Sequence, residues 1–123
     1  MKKIITEKAP SPIGPYSQAK MDSAGVLYIS GQLGMDSNGE LAKGIIAQTT
    51  LALENMGAIL NAAGYEFSNV VKTTVLLSDM NTFEAMNSVY SLFFSDSEPA
   101  RATYEVSRLP KNALVEIEAV VSR

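Results

Sequence analysis

Two strand-like runs near the end of the chain carry charge where apolar residues would be ordinary. The first includes Ala100-Arg101-Ala102-Thr103-Tyr104-Glu105-Val106. The second, reached through Leu109-Pro110-Lys111-Asn112, is Leu114-Val115-Glu116-Ile117-Glu118-Ala119-Val120-Val121. Successive side chains on a strand alternate faces. Arg101, Thr103 and Glu105 therefore share one side of the first run, and Ala102, Tyr104 and Val106 the other. In the second run Val115, Ile117, Ala119 and Val121 form an apolar face, while Glu116 and Glu118 stand between Leu114 and Val120 on a mixed one. With the two runs as neighbours, a guanidinium and a pair of carboxylates could bind and process a small anion. They could equally form a cross-strand ion pair, and spacing alone leaves both open.

Each group has its own chemistry. Guanidinium suits planar, bidentate recognition of a carboxylate. Two carboxylates on one buried face repel each other, which raises one pKa and makes that group a candidate general acid or base; on an exposed face both are merely solvated. Asn87 interrupts an apolar helical stripe formed with Phe83, Tyr90 and Phe94. A buried amide must find partners, in a neighbouring loop or in a ligand. Tyr16, after a rigid Pro-rich loop, and Ser30, at a strand end before Gly31, are hydroxyl donors placed where backbone is constrained. Tyr28, Tyr65 and Tyr104 read as packing residues with a polar tip.

Absences narrow the chemistry further. The chain has no Cys and no His, which removes thiolate nucleophiles, disulfides, Ser-His pairs and the commonest metal ligands. Catalysis here must use carboxylates, Lys, Arg, Tyr, hydroxyls, backbone amides or water, and no metal centre built on Cys or His is expected. Asp36-Ser37-Asn38-Gly39-Glu40 has the acids of an oxygen-ligand site but lacks EF-hand spacing, and reads as a tight Asn-Gly turn. A net charge of −3 argues against nucleic acid as an obligatory partner, since phosphate binding is driven by clustered Lys and Arg. No apolar run approaches the roughly 20 residues that span a bilayer. Met1-Lys-Lys-Ile-Ile-Thr-Glu lacks the apolar core of a signal peptide, so the expected compartment is the cytoplasm.

The elements that must position these groups are legible in outline, and 123 residues fit one domain, 1–123, with a real core. Lys2 to Thr6 is β-prone. Ala9-Pro10-Ser11-Pro12-Ile13-Gly14-Pro15-Tyr16 holds three prolines and a glycine, which make a stiff, irregular loop. Tyr16–Met21 and Val26–Ser30 flank the turn signal Asp22-Ser23-Ala24-Gly25 and suggest an antiparallel hairpin. Apolar residues at 45, 46, 52, 53, 56, 59, 60 and 63 predict a helix closed by Gly64. Val70–Leu77 is a β-branched, central strand. Asn81, with Glu84 three residues on, predicts the capped start of a second helix, whose apolar side carries Phe83, Met86, Tyr90, Phe93 and Phe94. The order β-β-β-α-β-α-β-β predicts an α+β two-layer sandwich: a mostly antiparallel sheet with two helices on one face. The other face, if it carries Met, Val and Ile, favours subunit association.

Six segments, in order and spread nearly end to end, resemble the RidA (YjgF) family: Ile13-Gly14-Pro15-Tyr16-Ser17-Gln18, Ser30-Gly31-Gln32, Val71-Lys72-Thr73-Thr74-Val75, Asn87-Ser88-Val89-Tyr90, Pro99-Ala100-Arg101, and Leu109-Pro110-Lys111 with Val115-Glu116-Ile117-Glu118. The resemblance implies a chorismate-mutase-like subunit in a homotrimer, with ligand sites in the clefts between subunits. It implies cofactor-free hydrolysis of reactive 2-imino acids and their enamine tautomers, such as 2-iminopropanoate and 2-iminobutanoate, to 2-oxo acids and ammonia. Matched residue by residue, the family's site falls on Tyr16, Ser30, Asn87, Arg101, Thr103 and Glu116. Arg101 would clamp the carboxylate, with the Gly31 region and the Thr103 backbone closing around the ligand. Glu116, rather than Glu118, would activate water, with Tyr16, Ser30 and Asn87 orienting substrate and water. Many members have Cys where this chain has Thr103, a change that removes thiol-dependent regulation. A small-metabolite-binding regulatory protein with little catalysis is the alternative from another class. Ribonuclease and chaperone-like roles, described for members, form a third; the acidic charge and missing His make RNA cleavage the least attractive.

Overall fold

The computed structural model describes all 123 residues. Six strands, β1 (Lys2–Ile4), β2 (Ala19–Met21), β3 (Leu27–Leu33), β4 (Val70–Leu77), β5 (Ala100–Glu105) and β6 (Val115–Val121), form one sheet in the order β1-β2-β3-β6-β4-β5. Helices α1 (Ile45–Ala63) and α2 (Phe83–Phe94) cover one face. All pairings are antiparallel except β4 with β5, which α2 joins by the helical crossover that a parallel pair requires. The expected α+β two-layer sandwich is the observed one, and no helix is long and apolar enough to cross a membrane.

The helix-facing side of the sheet is built by alternation. Leu27 and Ile29 of β3, Val115, Ile117, Ala119 and Val121 of β6, and Val75 and Leu77 of β4 are all buried. They pack against Leu53, Met56, Ile59 and Leu60 of α1 and Met86, Tyr90 and Phe94 of α2 in one core cluster. Gly64 closes α1 in the left-handed conformation at φ 79°, as its position predicts. Ile46 does not join the α1 stripe and is 60% exposed, whereas Ile45 beside it packs against the core.

Three expectations need correction. The two terminal runs are not paired neighbours: β6 inserts between β3 and β4, and β5 lies on the far side of β4 as an edge strand. Burial explains the choice, since β6 buries every second residue, whereas β5 has no fully buried residue to place in the interior of a sheet. The second helix is not capped by Asn81. A 3₁₀ turn over Met80–Thr82 precedes it, and the Asp79 side chain accepts from the Asn81 N–H. The open face of the sheet is also more polar than expected. Cross-strand register aligns Lys3, Lys20, Tyr28, Val120, Lys72 and Ala100 in one row across it, with Glu118, Thr74 and Ala102 beside them. A small second core of Leu33, Met35, Leu109 and Ala113, supported by Leu76, closes one end of that face.

Candidate active site

Tyr16 is delivered by the Pro-rich loop, and a single side chain holds that loop in place. Gln18 is 4% exposed. Its carbonyl accepts from the Thr6 N–H at 2.8 Å, and its amide donates to the carbonyls of Thr6, Ala9 and Pro10 at 3.0, 3.2 and 2.9 Å. A segment with three prolines has few N–H groups of its own to satisfy those carbonyls. Tyr16 itself is 48% exposed, and its hydroxyl accepts from the Ile13 N–H at 3.3 Å. It lines one cleft with Ser30 and Lys20, and an adjoining one with Gln18, Gly31 and Gln32.

Ser30 and Gly31 sit in a bulge, since β3 and β6 shift register between Ile29 and Gln32. A bulge re-aims side chains and leaves a residue unpaired. Here it brings the Ser30 hydroxyl to the Ser17 carbonyl at 2.6 Å and presents bare backbone to Glu116. A Cβ on Gly31 would lie 2.7 Å from the Glu116 Cδ and 2.8 Å from its Oε2. Glycine is required because the carboxylate occupies that space. The Glu116 carboxyl is held above the usual carboxylate range, chiefly by burial and secondly by the Glu118 charge on the same face. The expectation that one of the two acids is raised therefore falls on Glu116. Its half-buried place beside Leu33 and Leu76, its register partners, is the cause, while Glu118 is exposed.

Asn87, Arg101 and Thr103 assemble elsewhere. Phe83, Asn87 and Tyr90 follow helical spacing along α2, facing the start of β5. The Arg101 Nη1 donates to the Asn87 Oδ1 at 2.7 Å. Its guanidinium carbon lies 4.6 Å from the centroid of the Tyr90 ring and 5.6 Å from that of Phe83. The Asn87 amide thus serves as a carboxamide brace for a cation, a role its place in the apolar stripe could not specify. Thr103, two residues along the same face, buries its hydroxyl oxygen with no hydrogen-bond partner in the chain. An unpaired buried hydroxyl is costly, and a ligand or a neighbouring chain would relieve it.

The candidate residues thus form two groups. Tyr16, Ser30, Gly31 and Glu116 lie together on the open side of the sheet, while Asn87, Arg101 and Thr103 lie at its β5 edge on the helix side. Pairing register fixes this. Arg101 is opposite Thr73, whose side chain faces the helices, whereas Glu116 is opposite Leu76 on the other face. An ion pair between Arg101 and either Glu116 or Glu118 of the same chain is excluded by the same register. No cluster of acids suited to a metal is present; Asp36–Glu40 is a turn in which the Asp36 carboxylate accepts from the Asn38 and Glu40 N–H groups and Gly39 has φ +82°.

The profile described as Endoribonuclease L-PSP matches residues 6–123. The chain belongs to this family, the RidA (YjgF) family. A human protein named 2-iminobutanoate/2-iminopropanoate deaminase is 55% identical over 95% of this chain and 86% of its own length. RidA from an Antarctic Psychrobacter species superposes with a TM-score of 0.96 at 42% identity, all of both chains being covered. E. coli TdcF, solved with bound serine, superposes at 0.93 with 38% identity, covering 100% of this chain and 99% of its own. The RidA resemblance drawn from six segments is therefore the family relationship, and the sheet topology is the family's fold. Sequence reasoning missed Gln18 and the ring of Tyr90. Gln18 follows Tyr16 and Ser17 at the foot of a proline-rich loop, a place where unsatisfied carbonyls call for a side-chain donor. Tyr90 carried no signal beyond its helical spacing.

Proposed function

We propose that this chain is a 2-imino acid deaminase, hydrolysing small 2-iminoalkanoates such as 2-iminopropanoate and 2-iminobutanoate to 2-oxo acids and ammonia. The observation that carries the reading is the 55% identity, over nearly the whole chain, to a protein named for that reaction, on a chain whose Glu116 carboxyl has a raised proton affinity. Arg101 binds the substrate carboxylate through the N–H groups that Asn87 leaves free. Glu116 takes a proton from water, and the hydroxide adds to the imine carbon to give a 2-amino-2-hydroxy acid. That proton goes to the nitrogen as the adduct forms; Glu116 then carries the hydroxyl proton of the adduct to the amino group as the C–N bond breaks, so that the carbonyl forms and ammonia leaves. Enamine substrates first take a proton at C3. A carboxyl with a raised pKa suits both halves of this exchange, because its proton affinity lies nearer neutrality. Tyr16 and Ser30 orient the substrate, the Gly31 backbone leaves room for the carboxylate, and Thr103 offers its unpaired hydroxyl to the ligand.

The two groups of residues cannot act on one small molecule from within a single chain, because the sheet separates them. A homotrimer that seats the β5 edge of one subunit against the open face of the next would complete the site, and this is the assembly the reading requires. No step uses a metal or a cofactor. Mixing the purified protein with a dehydratase acting on threonine tests the reaction directly. Release of 2-oxobutanoate and ammonia should accelerate, and Arg101→Ala should abolish the effect. No acceleration across several amino-acid precursors would sink it.

A further inference from the structure

Arg101 is an exposed residue on an edge strand, a setting in which a long side chain ordinarily samples many rotamers. Here it does not stand alone. The β4–β5 register places Thr73 directly beside Arg101, and the Thr73 hydroxyl shares a hydrogen bond of 2.7 Å with the Tyr90 hydroxyl. Both residues are buried, at 1% and 7% exposure. The Tyr90 ring is thus pinned at its polar end, and its face lies under the guanidinium at 4.6 Å. Phe83 adds a second ring about two turns earlier, and the Asn87 oxygen fixes rotation in the plane. Cation–π contact with a ring holds a guanidinium flat, and a side chain ordered in advance gives up less entropy when its ligand arrives.

We infer that Tyr90, locked by Thr73 and seconded by Phe83, is a positioning residue that holds Arg101 as a pre-formed carboxylate clamp. Asn87 engages Nη1 alone, which leaves the other N–H groups of the guanidinium for a planar carboxylate that takes two parallel hydrogen bonds. Burial also pushes the Tyr90 phenol up, so the ring stays neutral and does not compete with the substrate as an anion. This inference rests on the deaminase reading for its ligand. It adds to that reading a specificity rule, since the clamp selects planar carboxylates and not merely negative charge.

The test compares Tyr90→Phe, Tyr90→Leu and Phe83→Leu with the wild type, in 2-oxobutanoate affinity by titration calorimetry and in KM and kcat for dehydratase-generated imino acid. Tyr90→Phe keeps the ring and should stay within about twofold of wild type in Kd and KM, whereas Tyr90→Leu should raise both about tenfold with much less change in kcat, a scale between those of exposed and desolvated cation–π contacts. A packing role alone would lower Tm without this split between KM and kcat. Folded Tyr90→Leu with wild-type Kd overturns the inference, as does Tyr90→Phe losing as much affinity as Tyr90→Leu, which would make the hydroxyl and its bond to Thr73, and not the ring, what affinity depends on. Should Tyr90→Leu not fold, the half-buried Phe83→Leu decides: a Kd raised about two- to threefold, the scale of an exposed contact, supports the platform, and an unchanged Kd overturns it. Wild-type protein that binds 2-oxobutanoate without accelerating hydrolysis removes the deaminase reading and leaves the clamp to be judged on affinity alone. Wild-type protein that neither binds nor hydrolyses overturns both.

Discussion

Because burial and the Glu118 charge favour the protonated form of Glu116 in the folded protein, its folded pKa lies above its unfolded value. Between those values the folded state holds a proton that the unfolded chain has released. The stability associated with this group is therefore complete below the unfolded value, and is lost as pH rises through the folded one. Glu116→Gln carries no such penalty. It should melt higher than wild type at neutral pH, with an advantage that shrinks as pH falls through the carboxyl range. The same change should lower kcat about 100-fold or more, since it removes the proposed general base. Wild-type kcat should itself decline as pH drops through the raised value, on a limb that residual Glu116→Gln activity lacks. Melting curves and rate profiles over one pH series check all of this, and equal stability of the two proteins at pH 7 would contradict it. Strand alternation alone paired Glu116 with Glu118 and predicted that one would be raised. It could not say which, because the answer depends on Leu33 and Leu76, residues distant in sequence that partly cover one acid and not the other. Arg101 was readable as a candidate carboxylate ligand but opaque in its setting, since nothing in β5 announces the Tyr90 ring beneath it.

At the scale of the elements, two glycines at the end of β3 answer to different neighbours and predict different failures. A Cβ on Gly31 meets the flexible end of the Glu116 side chain, while one on Gly34 would lie 2.3 Å from the Gln48 carbonyl oxygen and 2.4 Å from its Cα, in the backbone of α1. A side-chain tip can move, but a helix backbone cannot without carrying its packed face with it. Gly31→Ala should therefore remain folded and lose most of its activity, because the displaced carboxylate no longer meets the water. Gly34→Ala should cost roughly 3 kcal/mol or more of stability, at or above the usual range for overpacking. Urea unfolding together with kcat separates the two, and a Gly34→Ala protein as stable as wild type would mean that α1 sits on β3 less closely than described. Helices, strands and the layer arrangement were readable from periodicity, since α1 and the interior strands repeat their apolar residues at regular spacing. The place of β5 was not. Adjacency along the chain made a β5–β6 hairpin the simplest pairing, but a strand with no fully buried residue belongs at an edge and one that buries every second residue belongs inside. That distinction needs the burial pattern of the whole sheet. The cap of α2 was misassigned for a local reason: Asp79 caps the 3₁₀ turn over Met80–Thr82 by accepting from the Asn81 N–H, which puts Asn81 inside that turn and not at the start of the helix.

On the scale of the whole molecule, the sheet itself stands between the group that would bind the carboxylate and the group that would activate water. Alternation already gave Arg101 and Glu116 faces of their own strands, but relating those faces required the order β6-β4-β5 and its register, which no single segment contains. If subunits assemble with the β5 edge of one against the open face of the next, each site draws Arg101 from one chain and Glu116 from its neighbour. Two inactive variants should then rescue each other. Arg101→Ala subunits retain Glu116, and Glu116→Gln subunits retain Arg101, so a mixed assembly contains some sites in which both groups are native. Random mixing at equal amounts in a closed ring should make about one site in four fully native, and restore about a quarter of the wild-type rate per site. The measurement is co-expression or joint refolding of the two variants, followed by mass determination in solution and the coupled dehydratase assay. The mass should be that of three chains, and the rate should scale with the product of the two variant fractions, peaking at equal amounts. A rate that stays at the background of either parent, in a sample shown by mass to contain mixed assemblies, would place both groups in the same subunit's site and require that the sheet open to let them meet. The double variant, carrying both changes in one chain, supplies the control: mixed with wild type it should leave native only those sites formed between two wild-type chains, so the same quarter of activity must then come with half of all subunits unaltered.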